Sequence, residues 1–214
     1  MPTFAPVLKK KEYPLVPAGT HLAILYKFMN LGTRLQQFQG KDKEYPDTLC
    51  NFTFEIPGEL HKFTVKNDDD TETEVEKPLV LSREFTLSMG SKSNLRPFVE
   101  GIIGVKLSDE EAAGFNLESL LGQACLISVI HKKSADGSKT FANIVSTSPL
   151  IKGMAVPKQF NPTEIFDVNL ATQEQINKLP LFLQGKITVS DEYKKRFLGI
   201  TDETPELDKD EIPF

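Results

Sequence analysis

Alternation of hydrophobic and polar residues predicts five β-strands, which fall into a group of three and a group of two. The first group begins with a strand from about Thr20 to Leu31, which Gly32 is able to bend. Its second strand, TLCNFTFEIPG, alternates cleanly and is expected to end at Pro57-Gly58, and LVLSREFTLS returns as the third. The second group is ACLISVIHKK and KTFANIVSTS, joined through Asp136-Gly137, a dipeptide typical of a hairpin turn.

Helical patterns separate the two groups of strands. In SKSNLRPFVEGIIG, Ser93 is the expected N-cap and Pro97 falls within the first turn, where few N–H partners are lost. SDEEAAG opens with a capping box between Ser108 and Glu111, and NLESLLG is expected to stop at Gly122. Three strands, a helical connection and two further strands match the oligonucleotide-binding (OB) fold, a five-stranded Greek-key barrel. The predicted fold class is therefore mainly β, with an α+β composition.

The chain beyond the last predicted strand is irregular before it offers two short helical candidates, near 172–179 and 190–198. These helices are expected either to cap the barrel or to join subunits of a homo-oligomer. The predicted domains are a barrel domain over 1–156, a small helical extension over 157–200 and an acidic tail over 201–214.

The chain of 214 residues has a formal net charge of −5, but its acidic residues are concentrated in two segments. Residues 68–76 hold six acids and no base, and residues 202–214 hold six acids and one lysine. The other residues include 24 basic and 18 acidic side chains, a net charge of +6. Segments so acidic and so poor in apolar residues are typical of solvated or disordered chain. We therefore predict a mildly basic body with an acidic loop at 66–77 and a disordered acidic tail.

Several classes of protein are disfavoured by the residues that the sequence lacks. No apolar run approaches the about 18 residues of a membrane span, and the start lacks a secretory pattern, which favours the cytoplasm. Cys50 and Cys125 lie in apolar runs and are expected to be reduced core thiols, and the three histidines lack zinc-binding spacing. No phosphate-binding loop, nucleophile elbow or HExxH motif occurs. The sequence therefore predicts a protein without a metal, a cofactor or a catalytic site.

The last residues carry the most specific motif of the chain, an acidic run followed by Ile212-Pro213-Phe214. This motif resembles the acidic tip of bacterial and phage single-stranded DNA-binding proteins, with Glu211 where these proteins usually carry aspartate. SNLRPFVEGIIG and the strands that flank Asp136 also resemble phage-encoded members of that family, which are built on an OB barrel, although the Gly/Gln/Pro-rich linker before the tail is missing. The resemblance implies a role in DNA replication, recombination or repair, in the bacterial host cytoplasm if the protein is phage-encoded. It also implies that the tip recruits a polymerase, helicase, primase or nuclease.

The chemistry of the tip suits docking into an apolar pocket lined by Arg or Lys. Phe214 combines a ring with the α-carboxylate, and Pro213 limits the cost of ordering the segment. The residues expected to bind a partner are Asp208, Asp210, Glu211, Ile212, Pro213 and Phe214. Two alternatives remain: a solubilising terminus that binds nothing, or a tail that folds back on the protein's own basic groove and weakens DNA binding.

Binding to single strands without sequence preference needs cations for the phosphates and aromatic faces for the bases. The predicted DNA-binding residues are Tyr26, Lys27, Arg34, Phe38, Arg83, Lys92, Arg96, His131, Lys132, Lys133, Lys139 and Phe141. The predicted hairpin supplies the last five of them. Phe141 falls on its polar face, where the ring either stacks on a base or packs under the loop.

Some of these residues have a second interpretation. Tyr26 shares a face with apolar residues, which favours the core, and His131 either stacks on a base or makes an ordinary hydrogen bond. Arg83 falls on an apolar register, so it either reaches a groove or pairs with an internal acid. Lys92 and Arg96 lie beside a helix N-terminus that suits a phosphate, or they are ordinary solvated charges. The acidic loop is either a solvated insertion or a charge decoy near the groove.

Our preferred hypothesis is a non-catalytic protein that binds single-stranded DNA without sequence preference in a phage-like replication or recombination system. The alternatives are a metal-dependent nuclease and a phage structural or assembly protein that uses an OB barrel for protein contacts. The nuclease is disfavoured because the carboxylates cluster in the acidic segments, where metal ligands would not be preorganised.

Overall fold

One mainly antiparallel sheet organises the described part of the chain, which is residues 14–38, 40–66 and 71–200 of a computed structural model. The strands are β1 (Gly19–Arg34), β2 (Gln37–Phe38), β3 (Lys41–Asp42), β4 (Asp47–Lys66), β5 (Glu72–Thr86), β6 (Ala124–Lys133), β7 (Thr140–Ser148) and β8 (Glu164–Asp167). The helices are α1 (Leu95–Ile103), α2 (Asp109–Ala113), a 3₁₀ turn (Leu117–Leu120), α3 (Gln173–Asn177), α4 (Leu181–Ile187), α5 (Asp191–Tyr193) and a π-helical turn (Lys194–Leu198). The predicted acidic tail, 201–214, lies outside the described residues.

The large sheet has the strand order β5-β4-β1-β6-β7, with every neighbour antiparallel, and β8 pairs with β1 in parallel. β1 is the central strand and pairs with β6 over its first half and with β4 over its second half. The pairing with β4 shifts register between Asn30 and Gly32, where Gly32 has φ +86°. A positive φ is easily adopted only by glycine, so the predicted bend in this strand is confirmed.

The prediction that the second long strand ends at Pro57-Gly58 is wrong. β4 passes through an irregularity between Ile56 and Leu60 and continues to Lys66. Residues 57–59 have no partner in the β5 register, so the N–H that Pro57 lacks is not needed for the ladder there. Pro57-Gly58 therefore marks a bulge inside the strand.

Part of the predicted acidic loop lies in a strand, since residues 72–77 belong to β5 and form a two-stranded ribbon with the end of β4. Glu72, Glu74 and Glu76 alternate along β5 and therefore share one face. Lys62 lies opposite Glu76, and its Nζ is 3.9 Å from the Glu74 carboxylate. Cross-strand pairs of opposite charge stabilise a ribbon by a few tenths of a kcal/mol to about 1 kcal/mol each, which charge counting along the sequence does not reveal.

Aromatic rings fill the inner face of the sheet, and helix α1 closes over them. Phe52 and Phe54 of β4 are fully buried, and Phe98 of α1 contacts both, with ring centroids 6.1 Å and 6.0 Å away. α1 approaches β7 closely because Gly101 has no side chain and the Thr147 hydroxyl donates to the Phe98 carbonyl at 2.6 Å.

The helix signals between the strands are mostly confirmed. The capping box between Ser108 and Glu111 is present, and Pro97 lies in the first turn of α1. The predicted N-cap of α1 is wrong, because Asn94 precedes the helix. Ser93 instead accepts a hydrogen bond from the Leu95 N–H at 3.0 Å.

The segment after β7 packs against β1 around a second buried apolar cluster. Its members are Met29, Leu31, Leu49, Phe166, Val168, Ala171, Ile176, Leu183 and Ile187. The two predicted helical candidates correspond to α3 and to α5 with its π-helical turn, whereas β8 and α4 were not predicted. Glu192 accepts hydrogen bonds from the Thr33 N–H and hydroxyl at 2.7 and 2.8 Å, which fixes α5 on β1. In the described residues, this extension therefore packs against β1 and the start of β4.

None of the helices within the described ranges has the length and apolar character needed to cross a membrane.

Candidate nucleic-acid interface

The β6–β7 hairpin places an aromatic ring and a lysine on the same exposed face. Lys132 lies directly opposite Phe141, and residues opposite each other in an antiparallel pair project from the same side of the sheet. Ile130 and Asn143 form the next such pair. The side chain of Phe141 is 49% exposed, so the ring lies at the surface and is not packed beneath the hairpin.

Four of the predicted cations are free to meet an external anion. Lys92, Lys132, Lys133 and Lys139 are exposed and make no ion pair with any residue that the structure describes. Three of them belong to the hairpin or its turn, and Lys92 lies just before α1. Free lysines lose only water and counterions when they bind phosphate, so these four are the strongest phosphate candidates.

Two adjoining concave surfaces lie near the hairpin and near Lys92. One cavity of about 360 Å³ is lined by Lys132, Asn143 and Arg83, and another of about 540 Å³ is lined by Arg83 and Lys92. They share Arg83 and Glu84 as wall residues, so they adjoin. The two cavities therefore lie side by side, one at the hairpin face and one at the start of α1, with Arg83 in the wall that they share. We call this pair of cavities the Arg83 groove.

Inside this groove, Arg83 joins β5 to β7, the two edge strands of the sheet. It is paired with Phe52 in the β4–β5 register and so faces the core. Its guanidinium lies 4.6 Å from the Phe85 ring centre and 5.2 Å from that of Phe98, and it donates to the Val145 carbonyl at 2.8 Å. Burial lowers the pKa of Arg83 from its ordinary value, but an arginine remains charged at neutral pH. Of its two predicted roles, the described contacts fit the groove, since none of its partners is a carboxylate.

Two other predicted cations are held by the fold. Lys27 forms an ion pair with Glu164 at 2.9 Å, which links β1 to β8. Arg34 donates to the Lys186 carbonyl at 3.1 Å and lies 3.4 Å from the Glu84 carboxylate. Their charges are already compensated, so we rank them below the free lysines as phosphate ligands.

Arg96 is not a solvated charge. Its guanidinium contacts Glu100 at 3.3 Å, Asp109 at 2.5 Å and the Leu107 carbonyl. The hydrogen bond with Asp109 is the main cause that raises the pKa of Arg96. The pKa of Glu100 is lowered, chiefly by a hydrogen bond from Lys106. This network ties α1 to α2, and Arg96 lines a separate cavity of about 520 Å³ next to the Arg83 groove.

Three candidates remain: Tyr26, His131 and Phe38. Burial raises the pKa of the half-buried Tyr26 to about 12, with contributions from Glu164 and Glu55. The His131 ring hydrogen-bonds to the Val16 carbonyl at 2.8 Å, which matches its second interpretation. Phe38 lies in the short strand β2, where its backbone pairs with Lys41.

Glu84 is a groove residue that the sequence reasoning missed. Its carboxylate lies in the wall of the Arg83 groove, where a lone negative charge would repel phosphate. Lys186 pairs with it at 2.6 Å, in addition to Arg34. The only signal in the sequence was its position beside Arg83 on a predicted strand, because its partners are distant along the chain.

The comparisons with protein-family models and with curated proteins find no match to this chain. Over the described residues, no group of three or more His, Cys, Asp or Glu side chains is arranged to hold a metal ion.

Proposed function

We propose that the protein binds single-stranded DNA without sequence preference and takes part, without catalysis of its own, in a phage-like system of DNA replication or recombination. The observation that carries the proposal is that the exposed Phe141 ring lies opposite Lys132 on one face of the hairpin, where Lys132 lines the Arg83 groove and has no ion-pair partner among the described residues. An aromatic platform beside free cations is the combination that single strands require.

We further propose that the sheet is an OB-type Greek-key barrel. Three long strands (β1, β4 and β5), a helical connection and the β6–β7 hairpin follow the order of that fold. β1 lies between β4 and β6, which leaves β5 and β7 at the two ends of the sheet. The hydrogen bond from Arg83 to Val145 joins these ends, and this contact supports a barrel closed by a side chain.

Binding follows from the chemistry of the free lysines and the ring. Each lysine that meets a phosphate releases condensed counterions, so affinity falls as salt rises. Stacking on Phe141 contributes about 1–3 kcal/mol per base and is tolerant of sequence, because every base has a flat face. Neither interaction reads base edges, so binding is sequence-independent.

The acidic tip supplies the second part of the proposal, and it rests on the family resemblance. Asp208, Asp210 and Glu211 steer the approach, and the ring of Phe214 enters an apolar pocket on a replication or recombination protein in the bacterial host cytoplasm. The tail is negative and the Arg83 groove is positive at its rim, so removal of the tail should not weaken DNA binding.

A gel shift with a thymine oligonucleotide tests this proposal. We expect the full chain to shift the oligonucleotide at low salt, and we expect a chain without residues 205–214 to bind at least as well. Absence of a salt-sensitive shift would favour the phage assembly protein. Turnover of the oligonucleotide with magnesium or manganese would favour the nuclease.

A further inference from the structure

The turn between β6 and β7 is organised by one acidic side chain among lysines. The Asp136 carboxylate accepts hydrogen bonds from the Ser134 hydroxyl at 2.5 Å, from the Ser138 N–H at 3.1 Å and from the Ser138 hydroxyl at 2.7 Å. Gly137 has φ +69°, which completes the tight turn. A single carboxylate thus joins both sides of the turn.

The same network sets the pairing of the lysine-bearing residues. The Ser134 N–H donates to the Lys139 carbonyl at 2.8 Å, and the Lys139 N–H donates to the Ser134 hydroxyl at 3.0 Å. The next pairs toward the sheet are Lys133 with Thr140 and Lys132 with Phe141. The Lys132–Phe141 pair thus lies only two residue pairs from the Ser134–Lys139 pair that the Asp136 network holds.

If only its charge mattered, Asp136 would weaken the binding of DNA to the hairpin. It is exposed, and its hydrogen bonds from Ser134 and Ser138 lower its pKa to about 2, so it stays negative at neutral pH. A fixed negative charge beside Lys133 and Lys139 opposes the approach of phosphate. A binding hairpin that carries such a charge needs a compensating benefit, and the geometry of the turn supplies one.

We propose that Asp136 is a positioning residue for single-stranded DNA binding, which holds the hairpin lysines and the Phe141 ring in their binding arrangement. This inference rests on the proposed function. Preorganisation of the hairpin lowers the ordering cost on binding, and this gain exceeds the repulsion between the carboxylate and the phosphates.

A matched pair of substitutions separates the two effects. Asp136→Asn and Asp136→Ala remove the same charge, but Asn keeps a side-chain oxygen that accepts from Ser134 and from the Ser138 N–H, as asparagine commonly does in turns. Loss of one or two hydrogen bonds corresponds to a change of about 3- to 10-fold in a binding equilibrium. We therefore expect Asp136→Ala to bind a thymine oligonucleotide about 3- to 10-fold more weakly than Asp136→Asn, and Asp136→Asn to bind at least as tightly as the wild-type protein.

A second variant keeps the charge and removes one bond. Ser138→Ala loses the hydroxyl that donates to Asp136 and is expected to weaken binding about 2- to 3-fold. Ser119→Ala is its control, because Ser119 also donates a hydrogen bond but lies in the 3₁₀ turn, away from the hairpin. A purely structural role would lower the midpoint of thermal unfolding in Asp136→Ala and leave the affinity of the folded protein for the oligonucleotide unchanged.

The outcomes are distinct. Equal binding by Asp136→Asn and Asp136→Ala, both tighter than wild type, would show that the charge alone matters and would overturn the inference. If Asp136→Ala does not fold, wild-type affinity in Ser138→Ala overturns it instead. Failure of the wild-type protein to bind the oligonucleotide would overturn the proposed function, and the inference with it.

Discussion

Arg83 and Val145 join the two end strands of the sheet through a single hydrogen bond of 2.8 Å from the guanidinium to the carbonyl. The donor also stacks on Phe85 and Phe98, so its position is fixed by the core on one side and by β7 on the other. The contact therefore links the stability of the sheet to the shape of the groove.

Substitution of Arg83 by Met tests this link. Met keeps much of the apolar packing but removes the hydrogen bond and the charge, and loss of a hydrogen bond from a charged group costs roughly 1–3 kcal/mol. We expect the free energy of unfolding in urea to fall by that amount and DNA affinity to fall as well. Lys152→Met, at an exposed turn outside the sheet, is the control. Unchanged stability in Arg83→Met would show that the sheet ends do not depend on this contact.

Phe141 should contribute to DNA binding but not to stability. Its ring is half exposed, and stacking on a base is worth about 1–3 kcal/mol, which corresponds to roughly 5- to 150-fold in affinity. We expect Phe141→Ala to lose affinity for a thymine oligonucleotide within this range, with little change in its unfolding midpoint. Phe182→Ala removes another exposed ring, in α4, and should leave affinity unchanged. Equal affinities of the two variants would exclude stacking on Phe141.

Gly101 should be intolerant of any side chain. A Cβ at this position would lie 2.5 Å from the Thr147 backbone oxygen, which cannot move without disturbing β7. Overpacking of this kind typically costs about 1–3 kcal/mol, and we expect that loss in the free energy of unfolding of Gly101→Ala. Gly185→Ala in α4 meets nothing within 4 Å and should stabilise the protein by roughly 0.5–1 kcal/mol. The same sign of change in both variants would contradict the packing of α1 on β7.

The buried carboxylate of Glu55 anchors the segment that precedes β8. It accepts hydrogen bonds of 2.7 Å from the Phe160 N–H, the Asn161 N–H and the Asn161 side-chain amide. Glu55→Gln replaces one carboxylate oxygen by an NH₂ group, which cannot accept from these donors. We expect the free energy of unfolding to fall by roughly 1–3 kcal/mol. We expect faster proteolysis near 149–163 and lower stability, whereas Glu118→Gln at an exposed site should match the wild type. Identical digestion of both variants would refute the anchoring role.

Local sequence signals predicted the parts of the fold that local interactions stabilise. The hairpin turn at Asp136-Gly137 and the capping box at Ser108 depend on residues within a few positions of one another. The apolar alternation likewise located the buried rings of Phe52 and Phe54. Residues that are close in the sequence are therefore sufficient to predict these elements.

Elements that depend on distant partners were not predictable in this way. β8 is a short strand with the exposed Ile165. It pairs in parallel with residues 27–30 of β1, beyond the part of β1 that pairs with β6. The extension of β4 past Pro57 depends on its cross-strand partners in β5.

The candidate site shows the same division between local and distant information. The hairpin lysines and Phe141 were identified from alternation, and the structure brings Lys132 and Phe141 together. The ion pairs that occupy Arg34 and Arg96 join residues of different elements, so the sequence did not distinguish these cations from the free ones.

The dependence of DNA affinity on salt tests the central claim most directly. For single strands, the slope of log K against log salt changes by about 0.7 for each phosphate contact. We expect the full-length protein to bind a thymine oligonucleotide with a steep negative slope. Substitution of both Lys132 and Lys133 by Ala should reduce its magnitude by up to about 1.4, whereas Lys195→Ala in the π-helical turn should not change it. A slope near zero, or one that the hairpin substitutions leave unchanged, would contradict the account.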